Sequence, residues 1–422
     1  MNYTKEVLPN GMRIIVAPMK ENPTVTVFVL VEAGSKYEKK ENNGISHFLE
    51  HMCFKGTTKR PTHKEITTEF DGLGCDSNAF TSQEYTGYYA KSDSANFEKI
   101  LDIVSDIYLN STFPESEIEK EKGVIIEEIN MYKDLPKAIV SEEFVKLLYG
   151  DQPAGWTIAG NKENILKIKR EDFVNYRKNH YVARATTVVV AGNVNEKKAF
   201  ELVKTAFANI STGKKEEKKK VTETQNKPRT SIYFKDTDQT HIVLGVRSVN
   251  MYDKKTSVAK LLSGILGRGM SSRLFTKMRE ELGICYYIYA VQDSSTDHGA
   301  FEVSAGVDTK RIEIAIKAIL AELTRVKTEL VSDEELNKVK KMLVGKLKLN
   351  LESSDSIAEF YGFQEVYKKK IKSMEDKIKE INAVTAKEIQ KLAKEIFVDS
   401  KLNLSIVGKF KDRLPFEKIL KF

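Results

Sequence analysis

Alternating apolar and polar positions mark a β-rich stretch near the start of each half of the chain. In residues 23–33 the alternation centres on Val25, Val27 and Val29, and residues 230–249 show it again. A period of two residues is typical of half-buried β-strands. Stretches with helical periodicity follow these strands in each half, and a final apolar strand closes each half.

The closing segments of the two halves repeat each other. A helix predicted over residues 170–180 leads into an apolar strand that ends at Gly192, and a helix predicted over 386–396 leads into one that ends at Gly408. The two segments align without a gap when Gly192 is placed on Gly408. The shared order and length of the elements favour an internal duplication over a coincidence between two common strand endings. The pattern therefore predicts an α+β fold of two duplicated units, each a mixed, mostly antiparallel β-sheet with helices packed on one face.

A polar, lysine-rich stretch separates the two halves and predicts a linker. The chain has 422 residues, which is more than one hydrophobic core usually supports, so two domains are expected. We place the first unit at residues 1–212, the linker at 213–229 and the second unit at 230–422.

Composition and charge argue against a nucleic-acid-binding protein and against a membrane protein. The net charge is +8, but the lysines alternate with glutamates on predicted helices, which is typical of a solvated face rather than of a nucleic-acid site. No run of eighteen apolar residues occurs, so we expect no membrane partner. The first residues resemble neither a signal nor a transit segment, and three scattered cysteines suit a reducing compartment. We therefore expect a cytoplasmic protein.

Two of the six histidines lie four residues apart, with a glutamate directly before the second one. On a helix predicted over residues 43–54, His47, Glu50 and His51 share one face. The opposite face is an apolar stripe of Ile45, Phe48, Leu49 and Met52. Two imidazoles at this spacing can hold one zinc ion, and the carboxylate can take a proton from a zinc-bound water. The alternative is a solvated polar face that carries two unrelated histidines.

A catalytic zinc needs a third protein ligand from elsewhere in the chain. In a helix predicted over residues 115–133, Glu121 and Glu128 both lie at the border of the apolar stripe, whereas Glu127 points to the opposite side. Periodicity thus favours Glu121 or Glu128 and does not separate them. A structural zinc site would need a fourth Cys or His ligand, and Cys53 points away from the histidine face.

The inverted His-x-x-Glu-His motif at positions 47–51, together with a glutamate at position 128, resembles the pattern and spacing of the pitrilysin-type metallopeptidases, the inverzincins. The resemblance implies that His47, His51 and Glu128 bind one Zn²⁺ per chain. It also implies that Glu50 is the general base and that Glu121 is the carboxylate that supports the site.

Further segments resemble the substrate-binding parts of this family. Asn78 and Ala79 match an edge strand that pairs with an extended peptide by β-augmentation. Arg279 and Tyr286 match residues of the second half that reach the substrate near the zinc. The alternatives are an ordinary polar strand residue at Asn78, a helix-surface arginine and a core tyrosine, and Tyr287 directly follows Tyr286.

The second half contains no second His-x-x-Glu-His, because the position of His47 falls on Ser263 when the two halves are aligned as above. A two-unit chain resembles the bacterial processing-peptidase-like proteases and the catalytic subunit of the mitochondrial processing peptidase. The resemblance implies a catalytic zinc-binding first unit and an inactive second unit that completes the substrate chamber. It also implies a homodimer, or a heterodimer with an inactive homologue.

The function expected from these features is a zinc-dependent metalloendopeptidase that cleaves unfolded or short peptides by attack of a zinc-bound water activated by Glu50. The rival hypothesis is a non-catalytic interaction subunit. Such subunits have typically lost zinc ligands or the base, whereas this chain has all of these groups.

Overall fold

The structure, a computed structural model, describes residues 2–422. The strands are β1 (Thr4–Val7), β2 (Arg13–Pro18), β3 (Thr24–Val31), β4 (Asp76–Thr81), β5 (Thr86–Asp93), β6 (Thr186–Gly192), β7 (Arg229–Phe234), β8 (Gln239–Arg247), β9 (Cys285–Ser294), β10 (Gly299–Asp308) and β11 (Asn403–Gly408). The helices are α1 (Ile45–Cys53), α2 (His63–Gly72), α3 (Phe97–Leu109), α4 (Glu115–Asp134), α5 (Pro136–Tyr149), α6 (Lys162–Lys167), α7 (Arg170–His180), α8 (Glu196–Ala206), α9 (Thr256–Gly267), α10 (Arg273–Phe275), α11 (Ile312–Thr328), α12 (Asp333–Leu349), α13 (Ser354–Lys368), α14 (Met374–Ala383), α15 (Ala386–Ile396) and α16 (Leu414–Ile419).

The chain forms two compact units, and each unit takes one segment from the other half of the sequence. The first unit consists of the residues up to Ile129, Trp156–Lys219 and Lys348–Ser373. The second unit consists of Asn130–Gly155, Lys220–Leu347 and Met374–Phe422. The two continuous units expected from the sequence, 1–212 and 230–422, do not contain this exchange of segments. The predicted linker, residues 213–229, is divided between the two units after Lys219.

The first unit is built on a six-stranded sheet in the order β1-β2-β6-β3-β5-β4. All neighbours in this sheet are antiparallel except β2 and β6, which are parallel. The valines of β3 that were predicted to face a core belong to one buried cluster with residues of α1 and α3. The opposite face of the sheet carries α13, where Gly362 lets the helix backbone approach Leu30 and Val189 closely.

The second unit repeats this plan with five strands in the order β7-β11-β8-β10-β9. Here β7 and β11 are parallel, and the remaining pairs are antiparallel. One face packs against a core that includes residues of α9, α11 and α15. On the opposite face Val140 and Phe144 of α5 pack in one cluster with Val243, Ala300 and Val407.

The predicted fold class is confirmed: each unit is a mixed, mostly antiparallel sheet covered by helices. The duplication extends to the element bounds. When Gly192 is aligned with Gly408, α7 and α15 begin and end at equivalent positions, and so do β2 and β7. The structure adds a feature that the pattern did not indicate, namely one further helix on the second face of each sheet. Across residues 2–422, every helix is too short or too polar to span a bilayer.

Candidate metal centre

Helix α1 presents its two histidines on the side that the core leaves open. Its apolar stripe is almost fully buried, at 0–1% exposure, and consists of Ile45, Phe48, Leu49 and Met52. The side chains of His47 and His51 keep 12% and 21% exposure. Their ring centroids lie 4.6 Å apart, as expected for residues one helical turn apart.

The start of α1 is held by Glu38, which lies in the preceding loop and was not among the predicted residues. Its carboxylate accepts hydrogen bonds from the backbone N–H groups of Gly44 and Ser46 and from Nδ2 of Asn43, each at 2.8 Å. Burial raises the pKa of Glu38 to about 7, and the three hydrogen bonds act against that rise. The bonds from Gly44 and Ser46 satisfy backbone N–H groups that a helix leaves unpaired at its start, and they hold the first turn of α1 in place.

Glu128 of α4 faces both histidines. The Nε2 atoms of His47 and His51 are 3.2 Å apart, and Oε2 of Glu128 lies 3.6 Å from the first and 3.7 Å from the second. Ligand atoms of a tetrahedral zinc with bonds of about 2.0–2.1 Å are separated by about 3.3 Å, so these three donors fit one zinc ion. Among residues 2–422, they form the one group of three such donor residues whose ligand atoms lie within 4.8 Å of one another.

Glu121 lies behind His51 rather than among the three donors. Its Oε1 accepts a hydrogen bond of 2.9 Å from Nδ1 of His51, and its Oε2 lies 2.6 Å from the ammonium group of Lys55. Because Nδ1 then carries the proton, the lone pair of Nε2 is turned towards His47 and Glu128. Burial alone would raise the pKa of Glu121, but the hydrogen bonds from His51 and Lys55 outweigh burial and lower it.

The two histidines differ in their affinity for protons. Burial and the nearby His51 lower the pKa of His47 to about 4, so this imidazole is neutral at physiological pH. Burial also acts to lower the pKa of His51, but the hydrogen bond to Glu121 and the charges of Glu50, Glu121 and Glu128 raise it overall. Zinc needs both rings neutral, so metal and proton compete at His51 in particular.

Glu50 lies on the histidine face and is almost buried, at 8% exposure. The hydroxyl of Thr81, at the end of β4, donates a hydrogen bond of 2.6 Å to Oε2 of Glu50. Burial raises the pKa of Glu50, and the bond from Thr81 opposes this rise. One carboxylate oxygen is thus held in place, and the carboxyl group is biased towards accepting a proton.

Strand β4, which brings Thr81 to the site, is an edge strand of its sheet. Asn78 is exposed on this strand, and Ala79 is partly buried. The side-chain Oδ1 of Asn78 accepts a hydrogen bond of 2.9 Å from the N–H of Ala79. The side chain of Asn78 thus occupies the N–H of Ala79 on this edge strand.

Two family models match the chain. The model described as insulinase, peptidase family M16, matches residues 13–162, and that described as the peptidase M16 inactive domain matches residues 167–343. An uncharacterized zinc protease of Bacillus subtilis is 34% identical over 394 residues, which covers 92% of this chain and 94% of the relative. The chain belongs to peptidase family M16. Another M16 relative, an uncharacterized zinc protease of Rickettsia felis, is 36% identical and covers 81% of this chain and 82% of its own length.

Solved structures agree with the M16 fold. A protease from Helicobacter pylori superposes with a TM-score of 0.90 at 24% identity, covering 96% of this chain and 99% of that one. A peptidase M16 inactive domain structure from Pseudomonas fluorescens gives a TM-score of 0.90 at 19% identity, covering 97% of this chain and 99% of that one. At these identities the likeness supports the fold alone.

Arg279 and Tyr286 belong to the second unit of this M16 chain. Arg279 lies in a π-helical turn over Thr276–Glu281, and its guanidinium donates a hydrogen bond of 2.7 Å to the carbonyl of Tyr286. Tyr286 is 72% exposed. The hydroxyl of Tyr287, in contrast, lies 2.8 Å from Nδ1 of His241. Arg279 is thus hydrogen-bonded to Tyr286, whereas Tyr287 contacts His241.

Three residues that support the candidate metal centre were not predicted as site residues from the sequence: Glu38, Lys55 and Thr81. Each lies in a loop or at a strand end, where no periodicity marks a functional face. The only signal available was position, because Lys55 follows His51 by four residues and Thr81 ends the segment that contains Asn78.

Proposed function

We propose that this chain is a zinc-dependent metalloendopeptidase that cleaves unfolded or short peptides. The observation that carries the proposal is the convergence of the Nε2 atoms of His47 and His51 with the carboxylate of Glu128, at distances of 3.2–3.7 Å. Membership of family M16 and relatives that are named zinc proteases support the same chemistry.

In this proposal His47, His51 and Glu128 hold the metal, and Glu121 orients His51 from behind. Two neutral imidazoles and one carboxylate leave a fourth position free, as catalytic zinc sites do. Bound zinc supplies Lewis acidity towards a water molecule and towards the scissile carbonyl group.

Glu50 is the general base. Its Oε2 is held by Thr81, so Oε1 is the oxygen that accepts the proton of the attacking water. The same oxygen then donates the proton to the leaving amine, which returns the carboxylate to its starting state. The buried position of Glu50 suits this shuttle, because burial brings the proton affinity of a carboxylate closer to that of its reaction partners.

Peptide binding is assigned to the free edge of β4. An extended substrate can add a strand there through backbone hydrogen bonds, which requires an extended conformation and little side-chain recognition. The side chain of Asn78 must leave the N–H of Ala79 for this pairing to form. Arg279 and Tyr286 are proposed to hold the substrate or to stabilise negative charge in the transition state.

The assembly proposed from the family resemblance is a homodimer, or a heterodimer with an inactive homologue. Light scattering coupled to size-exclusion chromatography separates these forms. A purified chain that elutes at twice its mass of 47.9 kDa supports the homodimer. A stable, active monomer would contradict both forms of assembly.

The test is cleavage of a quenched fluorescent peptide library, with metal content measured on the same samples. We expect Glu50→Gln to keep its zinc and lose turnover, and Glu128→Gln to lose zinc. Glu127→Gln is the matched control, because Glu127 is the exposed neighbour of Glu128 on the same helix. A wild-type protein with one zinc per chain and no cleavage would overturn the peptidase proposal and favour a non-catalytic subunit. Full zinc content in Glu128→Gln would overturn the ligand assignment.

A further inference from the structure

Lys55 makes a contact that the proposed peptidase mechanism does not use. Its ammonium nitrogen lies 2.6 Å from Oε2 of Glu121, and the two side chains are 18% and 6% exposed. The other oxygen of Glu121, Oε1, accepts a hydrogen bond of 2.9 Å from Nδ1 of His51. Lys55, Glu121 and His51 therefore form a linear series of polar contacts that ends at a proposed zinc ligand.

The backbone places Lys55 with little freedom. Directly after α1, the N–H of Phe54 donates to the carbonyl of His51, and the N–H of Lys55 donates to the carbonyl of Met52, both at 3.2 Å. The next residue, Gly56, has a φ of 137°, and a Cβ there would lie 2.4 Å from the carbonyl oxygen of Pro61. The turn that carries Lys55 is thus defined by hydrogen bonds on one side and by a glycine-specific close approach on the other.

The contact matters because Glu121 is a nearly buried carboxylate, at 5% exposure. A carboxylate in that position needs partners for its oxygens, and the structure gives it one cationic partner and one imidazole. With both oxygens engaged, the plane of the carboxylate is fixed, and so is the direction in which it accepts the proton of Nδ1. That direction in turn fixes the ring of His51 and the lone pair that faces His47 and Glu128.

We propose that Lys55 is a positioning residue of the metal centre, which acts through Glu121 to orient His51 for zinc binding. The proposal rests on the zinc site of the proposed function. The contact of Lys55 is with Oε2 of Glu121, so we expect its effect on His51 to pass through Glu121. Lys59 offers a contrast in the same segment, because it pairs with Asp102 at an exposed position, where the two side chains are 58% and 45% exposed.

The experiment measures the zinc dissociation constant of the purified full-length protein by competition with a chromophoric chelator. The variants are Lys55→Met, Lys55→Arg, Glu121→Gln, the double variant Lys55→Met/Glu121→Gln, and Lys59→Met as the matched control. Removing a direct outer partner of a metal ligand typically weakens metal binding about 10- to 100-fold, which we expect for Glu121→Gln. Because Lys55 is one contact further out, we expect roughly a 3- to 10-fold weakening for Lys55→Met.

The double variant shows whether Lys55 acts through Glu121 or independently of it. If Lys55 acts through Glu121, Lys55→Met adds nothing once Glu121→Gln is present, so the double variant binds zinc as Glu121→Gln does. We expect Lys55→Arg and Lys59→Met to stay close to the wild type. Thermal unfolding of the zinc-free proteins checks that the variants are folded.

Three results would overturn the inference: wild-type zinc affinity in Lys55→Met, additive losses in the double variant, or a loss in Lys55→Arg as large as that in Lys55→Met. A wild-type protein that binds no zinc would instead overturn the proposed function. The two failures are therefore distinguishable in one set of titrations.

Discussion

The metal-facing helix begins at a position that only glycine tolerates, which makes Gly44→Ala a sharp test of how the site is built. Gly44 has a φ of 106°, and a Cβ on it would lie 2.8 Å from the carbonyl oxygen of Ala159, 2.9 Å from Cδ1 of Ile165 and 3.1 Å from Cα of Gly160. The side chain of Ile165 can move, but the two backbone atoms belong to a chain that packs directly on the loop before α1.

The cost of this substitution has two parts. Holding a residue with a Cβ at such a φ costs about 1–3 kcal/mol. Relieving the contact with the backbone of Ala159 and Gly160 costs about 1–3 kcal/mol more, by analogy with overpacked cores. The sum is about 2–6 kcal/mol, and at about 2–4 °C per kcal/mol it lowers the melting temperature by roughly 4–24 °C.

The assay is thermal unfolding of the zinc-free protein, followed by a zinc titration at a temperature where Gly44→Ala is folded. We expect weaker zinc binding as well, because the strain is relieved by moving the first turn of α1, which carries His47. Gly123→Ala is the control: Gly123 lies in α4 between the two glutamates of the site, and a Cβ there meets nothing within 4 Å. We expect this control to gain up to about 1 kcal/mol of stability. A Gly44→Ala protein that melts with the wild type and keeps its zinc affinity would refute the reasoning.

Two further predictions concern groups around the site and away from it. Thr81→Val removes the hydroxyl that holds Glu50. Because a hydrogen bond to a charged group contributes about 1.5–3 kcal/mol, we expect kcat to fall about 10- to 100-fold. Thr81→Ser keeps a hydroxyl and should stay near the wild type, so equal activity of the two variants would contradict the proposed role. His180 packs on the ring of Tyr176 with a centroid distance of 4.1 Å, and burial lowers its pKa to about 4 from the ordinary 6.5. Between about pH 6.5 and about pH 4, His180 is therefore protonated in the unfolded chain but neutral in the folded protein. The free energy of unfolding falls as the pH is lowered from about 6.5 to about 4, by at most roughly 3 kcal/mol. Urea unfolding at both ends of this range should show a smaller difference in His180→Gln, and an unchanged difference would contradict the assignment.

Most of the fold could be predicted because its elements carry strong periodicity. The helices expected over 170–180 and 386–396 have these bounds in the structure, and the repeat seen in the closing segments reappears in the order of the strands. The exchange of α5 and α13 between the two units could not be predicted in this way. An apolar stripe shows which side of a helix is buried but not which sheet buries it.

The candidate site could also be predicted only in part. Helical spacing alone placed His47, Glu50 and His51 on one face, and it selected Glu121 and Glu128 together without separating their roles. The structure separates them by atom: Glu128 approaches both Nε2 atoms, whereas Glu121 meets Nδ1 of His51. Such a difference depends on the distance between two helices far apart in sequence, so periodicity within one helix does not contain it.

Helix α9 is the counterpart of α1 when Gly192 is aligned with Gly408, but the two helices differ in packing. Residues 261–267 of this helix are all buried, and seven consecutive residues cover its entire circumference. Strand β9 lies directly against it, since a Cβ at Gly267 would be 2.2 Å from the backbone nitrogen of Ala290. In α1 the corresponding side stays open, and there the histidines keep part of their surface exposed. Helix α9 therefore has no open face at the positions that correspond to the two histidines of α1.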